Sequence, residues 1–404
     1  MKKCVLLSMA VLSLCACSTT EQQVEELIGT LAANEIDSPA WKQAVDGLVG
    51  LGRPAARQLV AHIDPDYYKG ENYCEFREEI EKIRTGCALA LGRIQHRAAS
   101  ATLKDRIGTA YTRAERLACI WSTGELGMDQ AALDALKVQL KDEDPSIRLY
   151  CAVALVKMDD TTGAAQITAA LSGGDAELAR QALAQLEGTN YFGVPLLVAL
   201  SQQPLPYQAQ IREVLEKVKG QLIGQLEAED PTLRMHSARA LSKVGDPSVY
   251  RALAELLKDP SNLVRFNAAA SLAEMDQAEG IDFLFAALQD TDPILRVNAV
   301  KFLTEVQRAS GAVQSQLIAA LRHQEPLARS GAAQVLGLAL VREAVPALLE
   351  AAQDQEAEVR CNALIALGRI RPAEARARIE QLLGDSDETV AYYAEWALKQ
   401  LGQG

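Results

Sequence analysis

The chain has 404 residues, 49% of them apolar and 5% aromatic, with a formal charge of −12. That is apolar mass for a large core, and alanine and leucine dominate it, which favours helix over strand. An acidic chain without a basic stripe argues against nucleic acid, whose phosphates need Lys and Arg.

The first residues stand apart. Met1-Lys2-Lys3 is a short positive start, and Val5–Leu14 is an apolar run of signal-peptide length, too short to span a bilayer comfortably. It ends in Leu14-Cys15-Ala16-Cys17. That ending resembles the lipobox of bacterial lipoproteins, in which the final cysteine receives diacylglycerol before cleavage. The resemblance implies a leader over 1–16, lipid on Cys17 and a short tether over 17–23. Loss of Lys2 and Lys3 would bring the charge to −14. Ser18, rather than Asp, implies export to the outer membrane, facing the periplasm.

From residue 24 onward the chain repeats itself. Arg84, Arg116, Arg148, Arg234, Arg265, Arg296, Arg329 and Arg360 share one position, at intervals of 32, 32, 86, 31, 31, 33 and 31. Weaker copies centre on Ala44, Ala179, Ala209 and Ala391, which makes about twelve units. Each reads as two helices. In Gly245-Asp246-Pro247-Ser248, Gly ends one helix, Asp caps the next and Pro takes its first position. Val249, Leu253, Leu256 and Leu257 then form one apolar face, and Val264, Ala268 and Leu272 form the inner stripe of the second helix. Such a pair cannot bury its face alone, so the units must stack into a solenoid over 24–404. Two places break the rhythm. An insertion lies at about 64–78, and an irregular segment at about 189–224 contains Pro204 and Pro206.

Asp stands six residues before Arg in Asp142/Arg148, Asp259/Arg265, Asp290/Arg296 and Asp354/Arg360, with Ile147, Val264, Leu295 and Val359 just before the arginines. These residues resemble HEAT repeats of the short type, with a period near 31, over roughly Trp41 to Leu401. The resemblance implies an all-α fold, an α-α superhelix, whose second helices line the concave side. His323 in place of Asp and Ala391 in place of Arg depart from the pattern. The Asp and Arg residues read as a structural ladder. The turn carboxylate caps the second helix, and the Arg fork reaches the next unit.

No reaction centre emerges. Cys87, Cys119 and Cys151 share one repeat position, where Ala268, Ala299, Ala332 and Ala363 stand elsewhere. Stacked units are about 8–10 Å apart, too far for disulfides, so these read as small buried residues; a Cys74–Cys87 bond stays open. Gly50-Leu51-Gly52-Arg53 lacks the strand a dinucleotide loop needs, and Leu91-Gly92-Arg93 and Leu367-Gly368-Arg369 repeat it, reading as helix ends. Asp64, Asp66, Asn72 and Glu75 echo a calcium loop, but Tyr68 and Gly70 fall in the wrong places, so an exposed recognition loop fits better. His62, His96, His236 and His323 are not followed by Glu, unlike the iron-binding pairs of some HEAT-like hydroxylases. No catalytic residue, metal site or cofactor is expected.

The reading is therefore a non-enzymatic, membrane-anchored scaffold or adaptor of the bacterial cell envelope, binding a protein partner of unknown identity along its concave face. Neither nucleic acid nor a small-molecule substrate is implied. Leu89, Trp121 and Val153, five residues after successive register arginines, and Tyr150 offer an apolar strip; Tyr67, Tyr68 and Tyr73 of the insertion add anchors. Later units carry Arg239, Lys301 and Gln334 there, a more polar row. Two alternatives are a structural envelope spacer and a HEAT-like lyase that attaches a pigment or cofactor to a protein.

Overall fold

The computed structural model describes residues 19–68, 76–127 and 129–402. Among them are 23 α-helices, several 3-10 turns and no strand. The chain forms two compact units that divide after Val218.

In the first unit, the helices Thr20–Ala33, Arg53–Ile63, Ser100–Thr109, Gln130–Gln139 and Ala164–Ser172 each precede a second helix: Pro39–Leu51, Arg77–Ile94, Arg113–Leu126, Pro145–Lys157 and Ala176–Glu187. The first of these begins at Thr20, within the stretch read as a tether. Its start is a capping box, with Thr19 and Gln22 each accepting from the other's backbone N–H. In the second unit the second helices are Pro231–Val244, Asn262–Glu274, Pro293–Ser310, Pro326–Leu338, Ala357–Ile370 and Glu388–Leu401. Asp144, Asp230 and Asp292 cap three of these eleven second helices with proline following at the first helical position.

From Ala209 to Arg234 the interval is only 25 residues, against about 31 elsewhere, for a simple reason. One unbroken helix, Gln208–Gln225, follows the first helix Val194–Gln202 and directly precedes the second helix Pro231–Val244. It stands where two helices and a turn stand elsewhere, and the division between the two compact units falls inside it. Its end is fastened to the next helix by the Ser237 hydroxyl, which donates to Gln225 at 2.8 Å. Pro204 and Pro206 lie in the short link before it.

The end of the second helix is as periodic as its start. The residue eleven after the register arginine has positive φ in seven units: Gln95, Gly127, Asp159, Gly245, Asp276, Leu340 and Arg371. Only two of these are glycine, so the left-handed stop belongs to the repeat and not to the residue. Gly52 and Gly245 end their helices as expected, but two other glycines read as helix ends do something else. Gly92 and Gly368 lie inside their helices, which run on to Ile94 and Ile370. A Cβ on Gly92, Gly124 or Gly337 would lie 2.8, 2.9 and 2.6 Å from the Cα of Ser122, Ala154 and Ala366 on the following second helix. Gly368 instead faces the Trp396 ring. These glycines set how closely successive second helices approach.

The two roles predict opposite signs within one helix end. Gly337→Ala should destabilise the protein by about 1–3 kcal/mol through overpacking. Leu340→Gly, at a left-handed position (φ 57°) whose side chain is 56% exposed, should stabilise it by up to about 1 kcal/mol. Denaturant unfolding of both variants checks this; equal signs would refute it.

Candidate partner-binding face

The ladder organises the edge of each stack. Arg148 Nη1 donates to the carbonyls of Asp142 and Glu143, and Arg234, Arg265, Arg296, Arg329 and Arg360 do the same six and five residues upstream. The insertion leaves this contact intact. Arg84 Nη2 reaches the carbonyls of Asp64 and Pro65 at 3.3 Å, across the inserted loop. The remaining guanidinium nitrogens turn to the next unit's aspartate. Arg116 pairs with Asp142, Arg234 with Asp259 at 2.7 and 2.9 Å, Arg329 with Asp354 at 2.7 and 2.8 Å, and Arg360 with Asp385 at 2.8 Å.

The aspartates do not cap the second helix as expected. Asp142, Asp259, Asp290 and Asp354 each accept from the N–H two residues on, at 2.8–3.0 Å, and the residue there is the helix cap. In Asp142, Asp259 and Asp354 the carboxylate thus closes the turn while meeting the preceding unit's arginine; Asp290 closes its turn, and Arg265 before it bonds Asn262 instead. His323 imitates the turn, its Nδ1 accepting from Glu325 N–H at 3.1 Å, but offers no carboxylate. The Arg234 bond holds the Asp259 carboxyl below its ordinary value, and Arg360 does so for Asp385.

The expected apolar strip is uneven. Leu89 and Trp121 are half-buried, Tyr150 is half-buried against the core around Ile120 and Cys151, and Val153 is only 2% exposed. The Lys157 ammonium sits 5.6 Å from the Trp121 ring centroid and is paired with Glu125. This cation, nine residues after its register arginine, was not foreseen; charge at that position recurs in Arg93, Glu125, Lys243 and Arg369 and is a visible signal. In the insertion, the Tyr68 hydroxyl meets Nδ1 of buried His62, while Tyr67, 42% exposed, lies edge-on to the same ring at 4.8 Å. Burial pushes the Tyr68 hydroxyl up. Cys17, Tyr73 and Cys74 lie outside the described residues.

Cys87, Cys119, Cys151 and Cys361 are free and buried. Burial raises all four thiols, Cys151 to about 12, which keeps them in the unreactive protonated form. Among the described residues no group of three or more His, Cys, Asp or Glu is placed to hold a metal ion, and no helix is long and apolar enough to cross a membrane. At the C-terminal end, Tyr393 and Trp396 pack on the core, whereas Tyr392 is 62% exposed.

Residues 209–273, 251–315 and 314–399 match the family model of HEAT repeats. No curated protein matches the sequence. Among solved structures, the chain is similar to human deoxyhypusine hydroxylase in complex with glycerol, at 19% identity over 78% of this chain and 99% of that one, with a TM-score of 0.26. It is similar to an engineered protein at 18% identity over 99% and 98%, TM-score 0.29. It is also similar to Kap121p bound to Ste12p at 12% identity over 95% of this chain and 45% of that one, TM-score 0.39. The arginine register, the helix pairs and the family match agree: the chain is a HEAT-like repeat protein, an all-α solenoid of a kind suited to protein–protein contact.

Proposed function

We propose that this protein is an exported, lipid-anchored adaptor of the bacterial cell envelope that binds another protein along the exposed face of its second helices. It acts by binding rather than by catalysis. The observation that carries the reading is the row of second helices itself, which repeats one buried stripe while varying the residues that face outward. Leu89, Trp121 and Tyr150 keep part of their surface exposed there, and tryptophan and tyrosine are favoured interface anchors. The Leu14-Cys15-Ala16-Cys17 leader supports the anchor, because acyl chains on Cys17 would hold the protein at a membrane. The outer membrane, periplasmic side, is the address its Ser18 implies.

In-cell crosslinking followed by affinity capture and mass spectrometry tests this. One dominant partner is expected, lost on Trp121→Ala/Tyr150→Ala and depleted when Cys17→Ser releases the protein from the membrane. A chain that remains an uncrosslinked monomer in cells would refute the adaptor.

A further inference from the structure

The ladder is open at one place where the surface is also apolar. Arg296 makes its two bonds to the carbonyls of Asp290 and Thr291 through Nη1, but the next unit presents His323 where the closed rungs present aspartate. Arg296 therefore has no carboxylate partner among the described residues. After Arg148 the matching position is Gly173, so that rung has no aspartate either, and Arg265 is satisfied by Asn262. What distinguishes Arg296 is its surroundings. Two residues before the register arginine, most units carry Lys82, Ala114, Ser146, Thr232 or Glu358; three consecutive units carry Leu263, Ile294 and Leu327 instead. Leu263 is 48%, Ile294 66% and Val297 68% exposed. Pro293, Arg296 and Val297 of one helix and Leu327, Gly331 and Gln334 of the next line a groove between them. The carboxylate on its wall, Glu358, is held by the Ser330 hydroxyl at 2.9 Å.

We infer that this groove receives an acidic segment of a partner protein, whose carboxylate completes the open rung on Arg296 while flanking apolar side chains cover Ile294 and Val297. The protein itself shows the expected geometry. At Arg234 and Arg329 the guanidinium takes an aspartate through two nitrogens at 2.7–2.9 Å. A fork-shaped cation set among exposed apolar groups selects a carboxylate over a neutral amide. The open rung is a recognition element because the exposed residues beside it, Ile294 and Val297, are apolar; the closed rungs are structural, their guanidinium already taken by an aspartate and the exposed residues beside Arg234 and Arg360, Thr232 and Glu358, polar. This inference rests on the protein-binding reading above and names the chemistry of one partner segment.

The test uses the full chain in detergent and a fluorescent nonapeptide of leucine and aspartate, compared with its leucine–asparagine counterpart by anisotropy. The aspartate peptide should bind at least about tenfold more tightly than the asparagine peptide, the worth of one charge-assisted contact. Arg296→Gln should weaken it by about the same factor. His323→Asp supplies the missing carboxylate from within, so it should raise the melting temperature and weaken peptide binding together. That variant guards against a misfolded Arg296→Gln. No binding of the aspartate peptide, equal binding of the two peptides, or unchanged affinity in His323→Asp would overturn the inference. If a partner still crosslinks in cells, only this inference fails; if none does, the adaptor reading fails with it.

Discussion

Glu115→Ile should destabilise the first unit by about 3–5 kcal/mol, and adding Arg106→Leu should recover most or all of that loss. Glu115 occupies the position just before the register arginine, where Ile83, Ile147, Val264 and Val359 fill the core of other units. It is 1% exposed, and Arg106, 2% exposed, binds it through Nε at 2.9 Å and Nη2 at 2.6 Å. Arg106 also donates to the Thr109 carbonyl and lies 5.2 Å from the Tyr111 ring centroid, a ring that Arg84 approaches as well. Two charges taken out of water nearly cancel in cost and gain, so the pair adds little net stability over a hydrophobic pair. Removing one partner leaves the other buried and uncompensated. The single substitution restores the repeat's usual residue yet should be the more harmful change. A double-mutant cycle by denaturant unfolding measures it; a single-variant loss under about 1 kcal/mol would mean that water reaches Arg106.

That pair marks the limit of what periodicity reveals. The helix pairs, the register arginines and the Asp six residues before them were legible because the same constraint recurs in unit after unit. Glu115 was not, since one acidic residue in a core column looks like noise until Arg106 is seen beside it. The glycines misled for a related reason. A glycine in Leu-Gly-Arg serves equally as a helix stop or as a close contact, and only the neighbouring helix decides between them. The shortened interval from Ala209 to Arg234 announced a disruption but could not say that one helix would do the work of two. Of the candidate strip, the spacing placed Leu89, Trp121 and Val153 in one column; side-chain size decided how deep each lies, and Val153 sinks where Trp121 cannot.

Arg329→Met should cost the second unit about 2–4 kcal/mol, because it removes three functions at once. Nη1 no longer satisfies the carbonyls of His323 and Gln324, the turn before its own helix loses its clasp, and Asp354 loses its bidentate partner. Methionine keeps the aliphatic bulk, so the loss is polar. Stacked repeats are coupled mainly to their neighbours, so the damage should appear as an early loss of the units after Pro326–Leu338. The pH dependence separates the pair from the rest. Burial pushes the Asp354 carboxyl up, but Arg329 and the Glu356 N–H outweigh it and hold the group below its ordinary value. A carboxyl lowered on folding contributes stability that is present above its unfolded value and lost as pH falls through the folded one. The wild-type melting temperature should therefore drop as pH falls below about 4, and Arg329→Met should show a shallower drop, having lost that contribution already. Parallel acid profiles would mean that the arginine stabilises the fold through its two carbonyl bonds and not through the carboxylate. The ladder would then be a set of turn clasps, each internal to its own unit, and the vacancy opposite Arg296 would leave the stack no weaker.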